Sequence, residues 1–199
     1  MNTQTTKTLQ HVTDQKWATH SRTSWRRIRN IAYWTATFVV VFELVAGSVW
    51  NLQQIEWVRV QLNHLGYPAY FTYILGVSLI GAAAAIIAPG FPRLKEWAYA
   101  GSFFHFSGAV VSHLLARDFV PVSTWVTPLV FLMFVVVSWA LRPADRRLPN
   151  PELAPETRPL AWAVPIGILV VLYIVSYLTL PAVNAAMHER AVDLGWIPR

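Results

Sequence analysis

Five apolar runs, at about 31–52, 69–88, 97–116, 121–141 and 162–180, constrain this chain more than any other feature. A helix rises 1.5 Å per residue, so roughly 20 mostly apolar residues cross the ~30 Å of hydrocarbon in a bilayer. Within hydrocarbon, backbone amides must be satisfied inside the segment or around a closed barrel. The runs are about twice the length of a barrel strand and lack its alternation. They predict helices. Breakers fall between them: Gly66-Tyr67-Pro68, Pro89-Gly90-Phe91-Pro92, Pro121, and five prolines from Pro143 to Pro159. The fold class is therefore all-α, an integral membrane helix bundle.

The composition, 55% hydrophobic and 13% charged, belongs with membrane proteins rather than soluble domains. The net charge of +6 does not indicate a nucleic-acid partner, because the basic residues flank the apolar runs instead of gathering on a polar domain. With no cysteine, the chain offers no disulfide, thiolate ligand or iron–sulfur site of its own. A cleaved signal peptide is not expected, since a long polar stretch precedes a first run that exceeds a signal core. Twelve Lys and Arg fall in the N-terminal tail, the 89–95 loop and the 142–159 loop, against four on the other face. The positive-inside rule then places the N-terminus in the cytoplasm and the C-terminus outside.

Domain boundaries follow: a polar, basic cytoplasmic tail over 1–30, four spans over 31–142, a proline-rich cytoplasmic loop over 143–159, and a fifth span with an external amphipathic tail over 160–199. The 1–30 segment has no sustained apolar stripe and is expected to be largely mobile. Ile55, Val58, Leu62 and Leu65 share one helical stripe, and Val183, Ala186, Met187 and Ala191 share another that ends near Gly195. Both predict short helices lying on the outer membrane surface, with Trp57 and Trp196 at the headgroup boundary.

Polar groups inside the spans are the candidate functional residues. Glu43 sits mid-span, where an ionised side chain costs roughly 2.5 kcal/mol or more, so it needs a partner, a proton or water. Gly101, His105, Gly108 and Ser112 form one narrow stripe expected to face other helices, with His113 near the outer end. Counted from the inner ends, Glu43 lies about 20 Å up, His105 about 14 Å and His113 about 26 Å. Contact between the first and third spans would set Glu43 between the histidines, where a Glu–His pair could share a proton or grip a ligand headgroup. The alternative is that each imidazole only bonds a neighbouring carbonyl or serine. No metal is expected: the histidines are eight residues apart, with no HxxH or HxxxH pair. Span aromatics such as Trp34, Phe38, Phe42 and Phe104 read mostly as lipid-facing, with a minority available to line a slot for a quinone ring. Ser78, Gly81, Ala82 and Ala85 read as a close-packing face.

With these residues in view, "YWTATF", "LGYPAY" and "PGFPRLKEWAYAGSFFHFSGAVVSH" resemble the DoxX-like family of small bacterial membrane proteins over about residues 31–142. The resemblance implies a four-helix membrane bundle, here extended by a fifth span, in a bacterial inner membrane. It carries over Gly66, Tyr67, Pro68, Lys95, Glu96, Trp97, Tyr99, Gly101, Gly108, Ala109, Ser112 and His113, with Lys95 and Glu96 read as anchors of the cytoplasmic end. Tyr99, Ser112 and His113 thus join Glu43 and His105 as candidate ligand- or proton-binding residues. The family is similar to the small-subunit type of a thiosulfate:quinone oxidoreductase, which carries activity only by analogy of fold.

Three functions are compatible with this pattern. One is a redox accessory protein that binds a quinone-like ligand or relays protons beside a membrane oxidoreductase. Another is a non-catalytic structural or assembly subunit, partnered by other membrane subunits or by a second copy. The third is a proton-coupled exporter of small lipophilic cations, against which stand the odd span number and the absence of an inverted repeat.

Overall fold

The computed structural model describes the backbone of residues 3–119, 121–143, 146 and 159–198, with side chains from 25 onward except at 159. Seven helices occur among them: α1 (Thr3–Leu52), α2 (Glu56–His64), α3 (Phe71–Ile87), α4 (Pro92–Leu115), α5 (Ser123–Leu141), α6 (Pro159–Leu178) and α7 (Leu180–Asp193). No strand occurs among the described residues. Three stretches are each long and apolar enough to cross a membrane: Trp25–Leu52, Ser123–Leu141 and Leu160–Leu178. The other two expected spans differ. α3 is apolar but has 17 residues, about 25 Å of rise. α4 has 24 residues but carries Arg93, Lys95 and Glu96 in its first turns.

α1, α3, α4 and α5 form the four-helix bundle. α1 packs against α3 and α5, α4 packs against the same two, and α1 therefore lies diagonally across from α4. The core joins Val40, Val41, Leu44 and Val45 of α1 to Leu79, Ala83 and Ile86 of α3, Phe106 of α4 and Val135 of α5. α6 lies outside this bundle, against α1 and α3. α1 and α3 approach most tightly at Gly76, where a Cβ would meet Leu52 Cγ at 2.6 Å. Ser48 Oγ donates to the Gly76 carbonyl there at 2.7 Å.

At the other end of α3 the chain breaks at Pro89-Gly90, leaving its last carbonyls without intrahelical donors. Lys95, only 1% exposed, reaches back from α4. Its Nζ donates to the carbonyls of Ala85 (3.1 Å), Ile86 (2.9 Å) and Ala88. An ammonium at a helix C-terminus also complements the helix dipole. Lys95 thus ties α4 to the end of α3. Glu96 likewise faces protein, pairing with Arg142 at 2.8 Å and accepting from Trp139 Nε1 at 2.9 Å.

α1 is continuous from Thr3, so no helix break separates residues 3–30 from the first span. The stripes read as interfacial pack on protein. Ile55, Val58 and Leu62 are buried against Trp50, Tyr67, Phe71, Leu180 and Val183. α7 docks on α2, with His188 against Glu56 at 2.7 Å and Trp57 against Trp196 at 5.1 Å. α2 and α7 share one end of the bundle, where their apolar residues are removed from water against each other. Most of the 143–159 loop lies outside the described residues.

Candidate functional site

The end of the bundle where α2 and α7 meet is built by three helix stops of one kind. α2, α4 and α7 each end in a Schellman turn, in which a left-handed residue lets the next amide reach back to the carbonyl five positions earlier. Gly66 (φ 82°), Arg117 (φ 61°) and Gly195 (φ 72°) occupy the left-handed position. The returning amides are Tyr67 to Leu62 (2.8 Å), Asp118 to His113 (3.0 Å) and Trp196 to Ala191 (2.9 Å). The turns thereby aim Tyr67, Asp118 and Trp196 back over the bundle.

Those three side chains meet the polar end of α4. His113, 2% exposed, places Nδ1 2.7 Å from Asp118 Oδ2, and its Nε2 lies 3.2 Å from Gln61 Nε2. His64 Nε2 approaches the other Asp118 oxygen at 2.8 Å. The Asp118 carboxylate and the Gln61 side-chain amide thus hold the two ring nitrogens of His113 from opposite sides. Ser112 Oγ and the Tyr67 hydroxyl are 2.8 Å apart. Trp196 stacks on His64 (4.8 Å between centroids) and lies parallel to His113 (6.3 Å). Partial burial raises the Asp118 carboxyl, but the hydrogen bonds and charges of His113 and His64 together outweigh it and hold the group below its ordinary value. A cavity of about 430 Å³ opens beside this cluster, lined by Val60, Asn63, His64, Asp118, Thr124, Leu194, Gly195 and Trp196.

A second feature opens on the flank of the bundle between α3 and α4. It is a groove of about 250 Å³ lined by Leu44, by Ser78, Leu79, Gly81, Ala82 and Ala85 of α3, and by Leu94, Trp97, Ala98, Gly101, Ser102 and His105 of α4. The small residues were expected to bring helices into contact; Ala85 does pack in the core, with Ala82 against it, but the glycines do the opposite. A Cβ at Gly81, Gly101 or Gly108 would touch nothing within 4 Å, so at Gly81 and Gly101 the missing side chains leave the groove open. The aromatic wall is Trp97, while Trp34, Phe38, Phe42 and Phe104 are exposed on the periphery. His105 is half-buried and meets Phe106 edge-on at 4.9 Å. Among the described residues it has no hydrogen-bond partner.

The remaining candidates are dispersed. Tyr99, 3% exposed, shares a hydrogen bond with Ser138 at 2.7 Å, and Ser138 in turn meets Thr37 at 2.8 Å. Arg142 covers the Tyr99 ring at 4.8 Å. This network joins α1, α4 and α5 and does not line the groove. The expected Glu43–histidine pair is not formed. Glu43 is half-buried and has no hydrogen-bond or ion-pair partner among the described residues, because α1 and α4 sit on the bundle's diagonal. Of the five candidates, Ser112 and His113 share the cluster around Asp118, His105 lines the groove, and Glu43 and Tyr99 stand apart. Gln61, His64 and Asp118 were not among the candidates, and Trp196 was read only as a headgroup-boundary residue. The glycine stops at Gly66 and Gly195 signalled two of the turns, but nothing in the sequence marks Arg117 as left-handed. No group of three or more His, Asp or Glu among the described residues has the arrangement of a metal site.

Comparison with protein families matches residues 35–138, more than half of the chain, to the family described as DoxX-like. Neither the curated proteins nor the solved structures give a match.

Proposed function

The chain belongs to the DoxX-like family, and from that premise we propose that it is a redox-associated accessory protein that seats a quinone-like ring in the groove between α3 and α4. The observation that carries this reading is the His105 imidazole, which faces an apolar groove without a hydrogen-bond partner among the described residues. A lipophilic ring with a carbonyl edge supplies both the shape and the acceptor such a site lacks; ligand sites are commonly apolar with a few convergent polar groups. Trp97 offers a face for stacking. The role of this chain is to hold and orient the ring and to donate one hydrogen bond; electrons pass to and from it through a partner membrane oxidoreductase. In this reading the bundle lies in a bacterial inner membrane with its N-terminus in the cytoplasm, and the His113–Asp118–His64 chain sits at the external surface.

The test is mass spectrometry of the full chain extracted in mild detergent, before and after incubation with decylubiquinone. Wild type is expected to retain the quinone and His105→Ala to lose it while keeping its helical content. Equal retention by both ends the proposal. A second reading, a structural or assembly subunit, is favoured by a specific observation: the imidazoles, carboxylate and hydroxyls of the cluster around Asp118 satisfy one another. That reading survives if no quinone binds and companion membrane chains co-purify unchanged from His105→Ala.

A further inference from the structure

The proposed ring groove leaves unexplained a basic pocket at the opposite end of the molecule from the cluster around Asp118. There, Arg26, Arg27, Asn30 and Trp34 of α1 border a cavity of about 550 Å³. Both arginines are exposed. No acidic residue occurs between Gln15 and Phe42, so no carboxylate of this segment neutralises them. Arg146 extends the basic surface by stacking over the Trp34 ring at 5.0 Å.

The pocket does not end at the arginines. Ile31 and Thr35, which also line it, border a second cavity of about 520 Å³ that runs between α1 and α5. That continuation is walled by Ile28, Ala36, Val130, Met133 and Val137. A cationic, amide-bearing mouth followed by an apolar channel between two spans has the polarity order of a phospholipid. We infer that this is a binding site for one anionic phospholipid, with the phosphate on Arg26, Arg27 and Asn30 and an acyl chain along the α1–α5 groove. Guanidinium suits this task because its planar donors grip phosphate oxygens in pairs. Trp25 and Trp34, both well exposed, flank the headgroup level where indole rings prefer to sit. A free phosphate would use the mouth but leave the groove empty, and a zwitterionic lipid would fill the groove but gain less from two arginines.

The experiment is native mass spectrometry of the detergent-solubilised full chain titrated with phosphatidylglycerol, phosphatidylcholine or inorganic phosphate. Each arginine near an anionic lipid is worth roughly a fivefold preference. Wild type is therefore expected to favour phosphatidylglycerol over phosphatidylcholine, and R26Q/R27Q to reduce phosphatidylglycerol binding about twentyfold. Thr35→Trp, which blocks the junction without changing charge, should also weaken binding, whereas Arg93→Gln, an exposed cation outside the pocket, should not. All four substitutions are at exposed positions, and circular dichroism checks that helicity is kept. Equal binding of the two lipids, or a loss in Arg93→Gln as large as in the double variant, overturns the site. So does Thr35→Trp binding like wild type while millimolar phosphate displaces the lipid. None of these outcomes depends on whether a quinone occupies the α3–α4 groove.

Discussion

Replacing Gly101 by leucine separates a ligand groove from a gap in packing. A Cβ at this position meets no atom within 4 Å, so the isobutyl group extends into the groove without a clash at its root. Four carbons at protein packing density occupy on the order of 100 Å³, a large part of the 250 Å³ present. Glycine in a helix interior is less favourable than leucine by about 0.8 kcal/mol. The variant is thus expected to melt no lower than wild type, followed by tryptophan fluorescence in detergent. Quinone retention should fall by about fivefold or more, since overlap with a buried ring costs about 1–3 kcal/mol or more. Gly108→Leu is the control: it too has open space around its Cβ but does not line the groove. It should keep the ligand. Full retention by Gly101→Leu refutes the groove as the binding site, and loss of folding in Gly101→Leu refutes the claim that the space is open.

Gly76→Ala should behave in the opposite sense, destabilising by about 1–2 kcal/mol after the gain in helix propensity is set against overpacking on Leu52; a thermal melt at or above that of wild type would contradict the close α1–α3 approach. Asp118→Asn removes the charge that both histidines address and should cost about 1–3 kcal/mol, read as faster proteolysis of the segment after α6. The pH dependence has a fixed sign: because the folded Asp118 carboxyl is held below its ordinary value, its contribution is complete above about pH 4 and is lost as pH falls through the lower folded value. Protection of α7 that weakens only on raising the pH would oppose this. Lys95→Met strips the donor from three carbonyls at the end of α3 and should cost on the order of 3 kcal/mol, since each buried acceptor left without a donor costs about 1–3 kcal/mol, seen as a collapse in detergent-stable yield; near-normal yield and melting would refute the capping role.

The sequence by itself determined that the chain is helical and where several of its helices stop. Hydrocarbon thickness and the cost of unsatisfied amides leave an apolar run of some 20 residues few alternatives. Glycine at 66 and 195 and proline at 89 and 92 punctuate it by sterics alone, and the family strings around Lys95 and His113 lie within the matched span. Tertiary structure decided which helices are neighbours. In a soluble helix the apolar stripe points to the core, but in a membrane span nearly every face is apolar, so periodicity carries little information about what each face meets. Hence Glu43 and His113 sat plausibly together by depth and are parted by the bundle's diagonal, while His113 finds Asp118, Gln61 and the ring of Trp196 from distant parts of the chain. The same small residues that permit close contact at Gly76 leave a groove at Gly101. The difference is whether a neighbouring backbone approaches, and only the packed assembly specifies that.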